Sequence, residues 1–217
     1  MKLGIIAGSG LEDLEELDGV ELVISRHGQY HNISPSSVQY KNHMLAMQDK
    51  NVTHILALTA CGSLREELCP GMFVLPDQVA DRTYLRANTI LHKVNHVSMA
   101  NPFSEELVNI IEKSLLNLNL SYAKNKTLVT IEGPRFSTRA ESNMYRQLGF
   151  DIINMTTMPE ATFAKELGIE YQPIAMVTDY DCWKGGEEVT FEKVKEVMKK
   201  NRKDAIALLT DIVKGLK

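Results

Sequence analysis

The sequence has few cysteines and no apolar run long enough to cross a membrane. Its three cysteines, Cys61, Cys69 and Cys182, are an odd number at wide spacings, which fits neither a disulfide framework nor a paired zinc motif. Reduced thiols are typical of a cytoplasmic protein. A spanning helix needs about 20 consecutive apolar residues, and the apolar part of the N-terminal MKLGIIAGSG is too short for a signal peptide. We therefore expect a cytoplasmic protein with no membrane segment.

An excess of positive charge is also missing. The chain has 24 Lys and Arg against 28 Asp and Glu, a formal net charge of −4, whereas a nucleic-acid-binding surface needs a basic face. The only basic concentration, Lys193–Lys203, also carries Glu196 and apolar residues, which is typical of the exposed face of a helix. We expect no nucleic-acid partner.

Internal repeats, low-complexity segments and Pro/Gly/Ser linkers are absent as well. The 217 residues are 44% hydrophobic and 24% charged, which is ordinary for a globular chain and sufficient for one sizeable core. The sequence therefore predicts a single domain over residues 1–217.

Short apolar segments alternate with amphipathic ones along the chain. Strands are predicted at Leu3–Ala7, Val20–Ser25, Thr53–Thr59, Met72–Pro76, Thr127–Glu132, Asp151–Met155 and Pro173–Asp179. Helices are predicted at Ser104–Leu118, Thr138–Leu148, Thr157–Gly168 and Phe191–Leu216, the middle two from capping boxes at Thr138/Glu141 and Thr157/Glu160. The alternation indicates an α/β fold with a mixed, mostly parallel central sheet flanked by helices.

Two aspartates follow the last predicted strand. In PIAMVTDYDCW, Asp179 and Asp181 are two residues apart, so on an extended chain both side chains point the same way. Buried carboxylates without partners are costly, and ligands of α/β sheets bind at the carboxyl ends of strands. The pair therefore predicts a ligand site.

Polar residues follow several other predicted strands. Gly8-Ser9-Gly10, Arg26-His27, Thr59 and Thr156 all lie at such ends. Each alone is weak evidence: Gly8-Ser9-Gly10 fits a simple tight turn equally well, and it lacks the third glycine of a dinucleotide fingerprint. Together they are the groups that hold one phosphate ion. No Walker loop is present, so a nucleoside triphosphate is not expected.

Longer segments resemble the 5′-methylthioadenosine phosphorylases, within the trimeric purine nucleoside phosphorylase family. The similar segments are VTIEGPRFSTRAES, NMTTMPEA, VTDYDCW, SRHGQYHNISPSSVQYKNHM and LTACGSLREELCPG, and the resemblance extends over nearly the whole chain. It implies a nucleoside phosphorylase-like fold and phosphorolysis of a purine nucleoside, with phosphate as co-substrate and no metal or organic cofactor. It also implies a homotrimer with shared active sites, and a role in purine and methionine salvage.

The resemblance assigns roles to individual residues. Phosphate would be bound by Ser9, Arg26, His27, Thr59, Ala60 and Thr156. Phe136 would stack on the purine, Ser137 would line its far edge and Met155 would lie under the ribose. Phe191 and Val194 would form an apolar wall around a 5′-methylthio group, although the same pair is also typical of plain helix core. His96 would close that pocket from a neighbouring subunit, while His31, His43, His54 and His92 are assigned no role.

The aspartate pair fits the chemistry that this resemblance implies. Cleavage of an N-glycosidic bond leaves negative charge on the purine, which an acid near N7 neutralises. One carboxylate of Asp179 and Asp181 would accept the exocyclic amino group of adenine, and the other would share a proton with N7. Burial and the neighbouring carboxylate should raise one pKa. A 6-oxopurine would instead favour an amide donor at this position.

The sequence also departs from the family pattern. A hairpin with a Pro-aromatic-Gly turn is missing before the Arg26-His27 strand, the stretch Arg86–Asn95 is short, and Ser9 stands where relatives more often have threonine. Three alternatives therefore stay open: a 6-oxopurine nucleoside phosphorylase, a hydrolase that releases adenine with water, and a trimmed, inactive nucleotide-binding homologue.

Overall fold

Twelve main helices and strands alternate along the part of the chain that the computed structural model describes, residues 1–14, 16–185 and 189–216. They are β1 (Leu3–Ala7), β2 (Val20–Ser25), α1 (Tyr40–Asp49), β3 (His54–Ser63), β4 (Phe73–Arg82), α2 (Glu105–Asn117), β5 (Tyr122–Ile131), α3 (Arg139–Gln147), β6 (Ile152–Asn154), α4 (Thr157–Leu167), β7 (Glu170–Asp179) and α5 (Phe191–Gly215). All seven predicted strands and all four predicted helices are present. Within the described residues, no helix is long and apolar enough to cross a membrane.

The strands form one seven-stranded sheet in the order β2-β1-β3-β6-β5-β4-β7. Strand β3 also pairs with β7 along nearly its whole length, so the last five strands close into a ring. The β3–β6 and β4–β7 pairs are antiparallel, and the other pairings are parallel. The predicted mixed, mostly parallel sheet is confirmed, whereas its closure was not foreseen.

Helices cover both faces of the open part of the sheet. Consecutive residues of β1 enter different cores: Ile5 packs with α2 and α5, and Ile6 packs with α1 and α4. Both side chains are fully buried, as the alternation of a strand between two helical layers requires. Strand β2 lies at the sheet edge and is only partly buried, so the prediction that every strand is buried on both faces is wrong there.

Two details of the helix predictions have different outcomes. The capping box of α3 is confirmed, because the Thr138 N–H donates to Glu141 at 2.7 Å and the Glu141 N–H donates to Thr138 at 3.2 Å. The capping box at Thr157/Glu160 is wrong: Met158 has non-helical angles (φ −102°, ψ 131°), and the Glu160 carboxylate binds Arg26 instead. A buried guanidinium without a counter-ion costs far more than an open helix end. Helix α1 was not predicted.

Candidate active site

The carboxyl ends of the strands surround a cavity of about 390 Å³. Every residue that the sequence predicted for the site lines this cavity, except His96. The strands β1, β2, β3, β6 and β7 each deliver a short polar segment to it, so residues separated by up to the length of the chain meet in one place.

His96 lies in the exposed segment between β4 and α2, outside the cavity of its own chain. The sequence analysis assigned it to the site of a neighbouring subunit, which a single chain does not test. This role therefore stays a prediction.

Arg26 is the positive charge at one end of the cavity. Its side chain is 1% exposed, and it donates to both carboxylate oxygens of Glu160, at 2.6 Å from Nε and 3.0 Å from Nη2. Nη1 also donates to the Leu58 carbonyl at 2.7 Å. Burial alone would lower the pKa of Arg26, but Glu160 raises it. The guanidinium is therefore charged and fixed, with only its remaining N–H groups available to a ligand.

Glycine is required at position 8 by the closeness of Arg26. A Cβ there would lie 2.4 Å from the Leu58 carbonyl oxygen and 2.7 Å from Arg26 Nη1, distances that no side chain allows. The loop that carries Ser9 can thus approach the guanidinium closely, which places a hydroxyl and a charged donor side by side.

His27 is neutral in this environment. Burial and the neighbouring Arg26 charge lower the pKa of His27 to about 4. Its Nδ1 lies 2.9 Å from the Ile33 carbonyl oxygen, which can only accept, so Nδ1 carries the proton and Nε2 is an acceptor. His27 can therefore accept a hydrogen bond from a protonated phosphate oxygen.

A hydroxyl and amide network forms the floor between the two ends of the cavity. Asn154 donates from Nδ2 to Thr59 at 3.0 Å and to Thr157 at 2.7 Å, and it accepts from Thr130 at 3.0 Å. The Thr59 and Thr156 hydroxyls are 3.4 Å apart. Asn154 was not predicted, although it ends a strand immediately before Met155.

Asp179 and Asp181 line the opposite end of the cavity. The geometric reason given from sequence is wrong: β7 ends at Asp179, and Asp181 begins a 3₁₀ turn at φ +49°. They are joined instead by a hydrogen bond of 2.7 Å from the Asp181 N–H to the Asp179 carboxylate, which also accepts from the Thr178 hydroxyl at 2.7 Å.

Both carboxyl groups hold protons more tightly than usual. Burial raises the pKa of Asp179 and that of Asp181, although hydrogen bonds to each oppose the shift. Asp181 Oδ2 is buried without a hydrogen-bond partner among the described residues, and so is the neighbouring Ser137 hydroxyl. These unpaired groups at a cavity wall are suited to a ligand that supplies both a donor and a protonatable nitrogen.

Apolar side chains line much of the remaining wall. Phe136 and Met155 approach from the loops after β5 and β6, and Phe191 and Val194 approach from the first turn of α5. Val194 is 7% exposed and also belongs to the core between the sheet and α5, so its two predicted roles are compatible.

His31 is a cavity residue that the sequence analysis missed. Its ring lies 4.7 Å from that of His27 and 5.0 Å from that of Phe191, and Nδ1 is 2.6 Å from Glu12. Burial alone would raise the pKa of Glu12, but hydrogen bonds from His31 and the Gly10 amide lower it to about 2. The spacing in RHGQYH was the available signal, since the turn after β2 brings both histidines together.

Comparison with known proteins agrees with this geometry. A sequence profile of the Phosphorylase superfamily matches residues 13–214. The chain is 43% identical to the S-methyl-5′-thioadenosine phosphorylase of Ciona intestinalis over 245 aligned positions, covering 98% of this chain and 88% of that protein. The chain belongs to the phosphorylase superfamily.

Solved structures place it beside the same relatives. The methylthioadenosine phosphorylase of Schistosoma mansoni in complex with adenine has a TM-score of 0.94 at 35% identity, covering 100% of this chain and 92% of that one. A mutant of the S. mansoni adenosine/methylthioadenosine phosphorylase, in complex with methylthioadenosine, has a TM-score of 0.92 at 35% identity, with 99% and 91% coverage. Within the superfamily, the chain is a member of the methylthioadenosine phosphorylase group, and its fold is the single-domain nucleoside phosphorylase fold.

Proposed function

We propose that the protein cleaves 5′-methylthioadenosine with inorganic phosphate, giving adenine and 5-methylthioribose 1-phosphate. The observation that carries this proposal is one cavity with Arg26, His27 and two threonine hydroxyls at one end and a proton-retaining aspartate pair at the other. The relatives named methylthioadenosine phosphorylase support it. The products place the enzyme in purine and methionine salvage.

The geometry suggests how the reaction proceeds. A phosphate oxygen attacks C1′ of the ribose, the bond from C1′ to N9 breaks, and its electron pair passes to the purine. A carboxyl group of the Asp179/Asp181 pair gives its proton to N7, and the other carboxylate accepts the exocyclic amino group of adenine. Burial keeps a proton on the pair at a pH where an exposed aspartate has lost it.

The same cavity argues against 6-oxopurine nucleosides. Such a base needs an amide donor near the carbonyl oxygen, and Asn154 is an amide that lines the cavity. Its Nδ2 already donates to Thr59 and Thr157, so neither amide hydrogen is free for a base. Adenine fits the two carboxyl groups better.

The 5′ end of the nucleoside would lie against α5. Phe191 and Val194 provide an apolar surface for a methylthio group, with Met155 under the ribose. His96 would reach the same pocket from a neighbouring subunit, so the active form would be a homotrimer with three shared sites. The enzyme would need no metal or organic cofactor, and its free cysteines fit a cytoplasmic compartment.

Phosphate dependence tests the proposed reaction directly. Purified protein is incubated with 5′-methylthioadenosine with and without inorganic phosphate, and both adenine and the sugar 1-phosphate are followed. We expect adenine release only with phosphate, in a 1:1 ratio to the sugar 1-phosphate. Release of adenine at an undiminished rate in phosphate-free buffer would mean a hydrolase, and no release under either condition would mean an inactive homologue.

A further inference from the structure

The strongest unexplained feature near the cavity is the carboxylate of Glu160. It is fully buried, it does not line the cavity, and the sequence analysis read it as a helix cap. Its two oxygens are used by three donors: Arg26 through Nε and Nη2, and the Tyr171 hydroxyl at 2.7 Å. A charge buried this deeply is kept only where its partners are fixed.

We infer that Glu160 is a positioning residue for phosphate, acting through Arg26. This inference rests on the proposed function, because it concerns the phosphate end of the same site. The bidentate contact fixes the plane of the guanidinium, since two parallel hydrogen bonds allow only one orientation. The remaining free N–H groups of Arg26 therefore point in a constant direction toward the cavity.

Two further contacts show that this orientation matters. Nη1 is fixed a second time by the Leu58 carbonyl at 2.7 Å, and it lies only 2.7 Å from where a Cβ of Gly8 would be. Any rotation of the guanidinium would therefore move it against the loop that carries Ser9. Without Glu160, both the donor and the hydroxyl that are proposed to bind phosphate would be displaced.

The electrostatic consequence of Glu160 has the opposite sign. Its negative charge balances that of Arg26, and His27 adds no charge because its pKa is lowered to about 4. If net charge alone controlled binding, removing the carboxylate would strengthen phosphate binding. If orientation controls binding, removing it weakens phosphate binding, so the two roles are separable by experiment.

The test compares Glu160→Gln with the wild type in steady-state kinetics and in calorimetric titration with inorganic phosphate alone. Glutamine has nearly the same shape, but its amide nitrogen cannot accept from Arg26. We expect the KM for phosphate and the Kd for phosphate to rise ~10-fold or more, as for other displaced catalytic groups. The KM for methylthioadenosine at saturating phosphate should change less than ~3-fold. An unchanged or lower Kd for phosphate, or an equal rise in both KM values, would overturn the inference.

Two other variants keep the test decisive. Tyr171→Phe removes only the third hydrogen bond to Glu160 and should weaken phosphate binding ~3-fold, even if Glu160→Gln fails to fold; no change in the folded variant would count against the inference. Asp151→Asn is the matched control, because Asp151 binds Arg65 at 3.0 Å outside the cavity. It should leave the Kd for phosphate unchanged, and an equal loss in this variant would show a general effect on the fold.

The direct titration also separates this inference from the proposed reaction. A wild-type protein that binds phosphate without turning over methylthioadenosine would refute the proposed function, while the variants would still test Glu160. A wild-type protein that binds no phosphate would overturn the inference about Glu160 itself.

Discussion

At the scale of single residues, the site consists of polar groups held in the interior by specific partners. Arg26 has Glu160, and Asn154 has three hydroxyl groups as partners. Asp181 is different, because one of its carboxylate oxygens is buried with no partner among the described residues. In a folded protein such a group indicates stability given up for ligand binding.

The first prediction at this scale concerns the choice of base. Asp179→Asn should lower kcat/KM for methylthioadenosine ~10²-fold or more, the usual contribution of a positioned acid. It should lower activity on inosine less, because the new amide can donate to the 6-oxo group. The measurement is kcat/KM for both nucleosides in both proteins. A wild type that cleaves inosine as well as methylthioadenosine would contradict the role given to the carboxylates.

The second prediction concerns stability. Burial raises the pKa of Asp181 above its value in the unfolded chain, so the folded state is favoured by the protonated form. The contribution is fully present below the unfolded pKa and is lost as pH rises through the folded pKa. At neutral pH the ionised group therefore destabilises the fold, and Asp181→Asn should raise the free energy of unfolding by roughly 1 kcal/mol or more.

Asparagine also suits the backbone at this position, since Asp181 has φ +49° and asparagine tolerates left-handed angles. Thermal unfolding at pH 7 and at pH 4 checks the prediction. The gain in Tm should shrink at pH 4, where the wild-type carboxyl group is closer to its protonated form. A variant that is less stable than the wild type at pH 7 would show that the carboxylate is not an energetic cost.

At the scale of secondary structure elements, α5 serves both the core and the site. Its first turn gives Phe191 and Val194 to the cavity, while its later turns pack Ala205, Leu208 and Ile212 into the core with α2 and the sheet. Arg202 donates to the Gly10 carbonyl at 3.0 Å, which ties the helix to the loop that carries Ser9. The helix therefore fixes the distance between the phosphate end and the proposed methylthio pocket.

The third prediction follows from the apolar first turn of α5. Burying one methylthio group contributes roughly 1–2 kcal/mol at ~25 cal/mol per Å², and an unpaired 5′-hydroxyl costs ~1–3 kcal/mol. Methylthioadenosine should therefore exceed adenosine in kcat/KM by ~10-fold or more. Val194→Asp should narrow or reverse that ratio by making the wall polar.

Since Val194 is also a core residue, Val194→Thr provides a milder control with the same shape. It should narrow the ratio with a smaller loss of stability. Equal kcat/KM values for the two nucleosides in the wild type would show that this surface is not the methylthio pocket.

At the scale of the whole molecule, the segment between β4 and α2 has no helix or strand and leaves large apolar side chains exposed. Tyr84 and Leu85 are each 75% exposed and Val94 is 85% exposed, and the segment includes the exposed His96. Exposed apolar side chains close together are typical of a protein–protein interface. This supports the proposal that the segment contacts a neighbouring subunit.

The fourth prediction is a homotrimer with shared sites. Light scattering should give three times the mass of the 24.4 kDa chain, and His96→Ala should raise the KM for methylthioadenosine while leaving that for phosphate nearly unchanged. The control is Tyr30→Ala, which removes another exposed aromatic side chain. A monomer that retains full activity would refute the shared site.

Much of this protein follows from its sequence alone. The strands β1 and β2 have the predicted limits, and each polar segment predicted for the site follows its strand. Both results have one physical cause: apolar runs must be buried as strands, and the polar residues just after them then lie at the edge where strands end. The partial burial of β2 and the closure of the sheet through β3–β7 depend on pairing, which local patterns do not encode.

Only the tertiary structure decided which partner each polar residue has. Glu160 has the spacing of a helix cap but binds Arg26, 134 residues away in sequence, because a buried guanidinium requires a counter-ion more than a helix end requires a cap. His31 has no distinguishing sequence context, and it enters the cavity because a turn brings it between His27 and Phe191. Local sequence determines which residues are buried or exposed, whereas the pairing of buried charges depends on distances that exist only once the chain has folded.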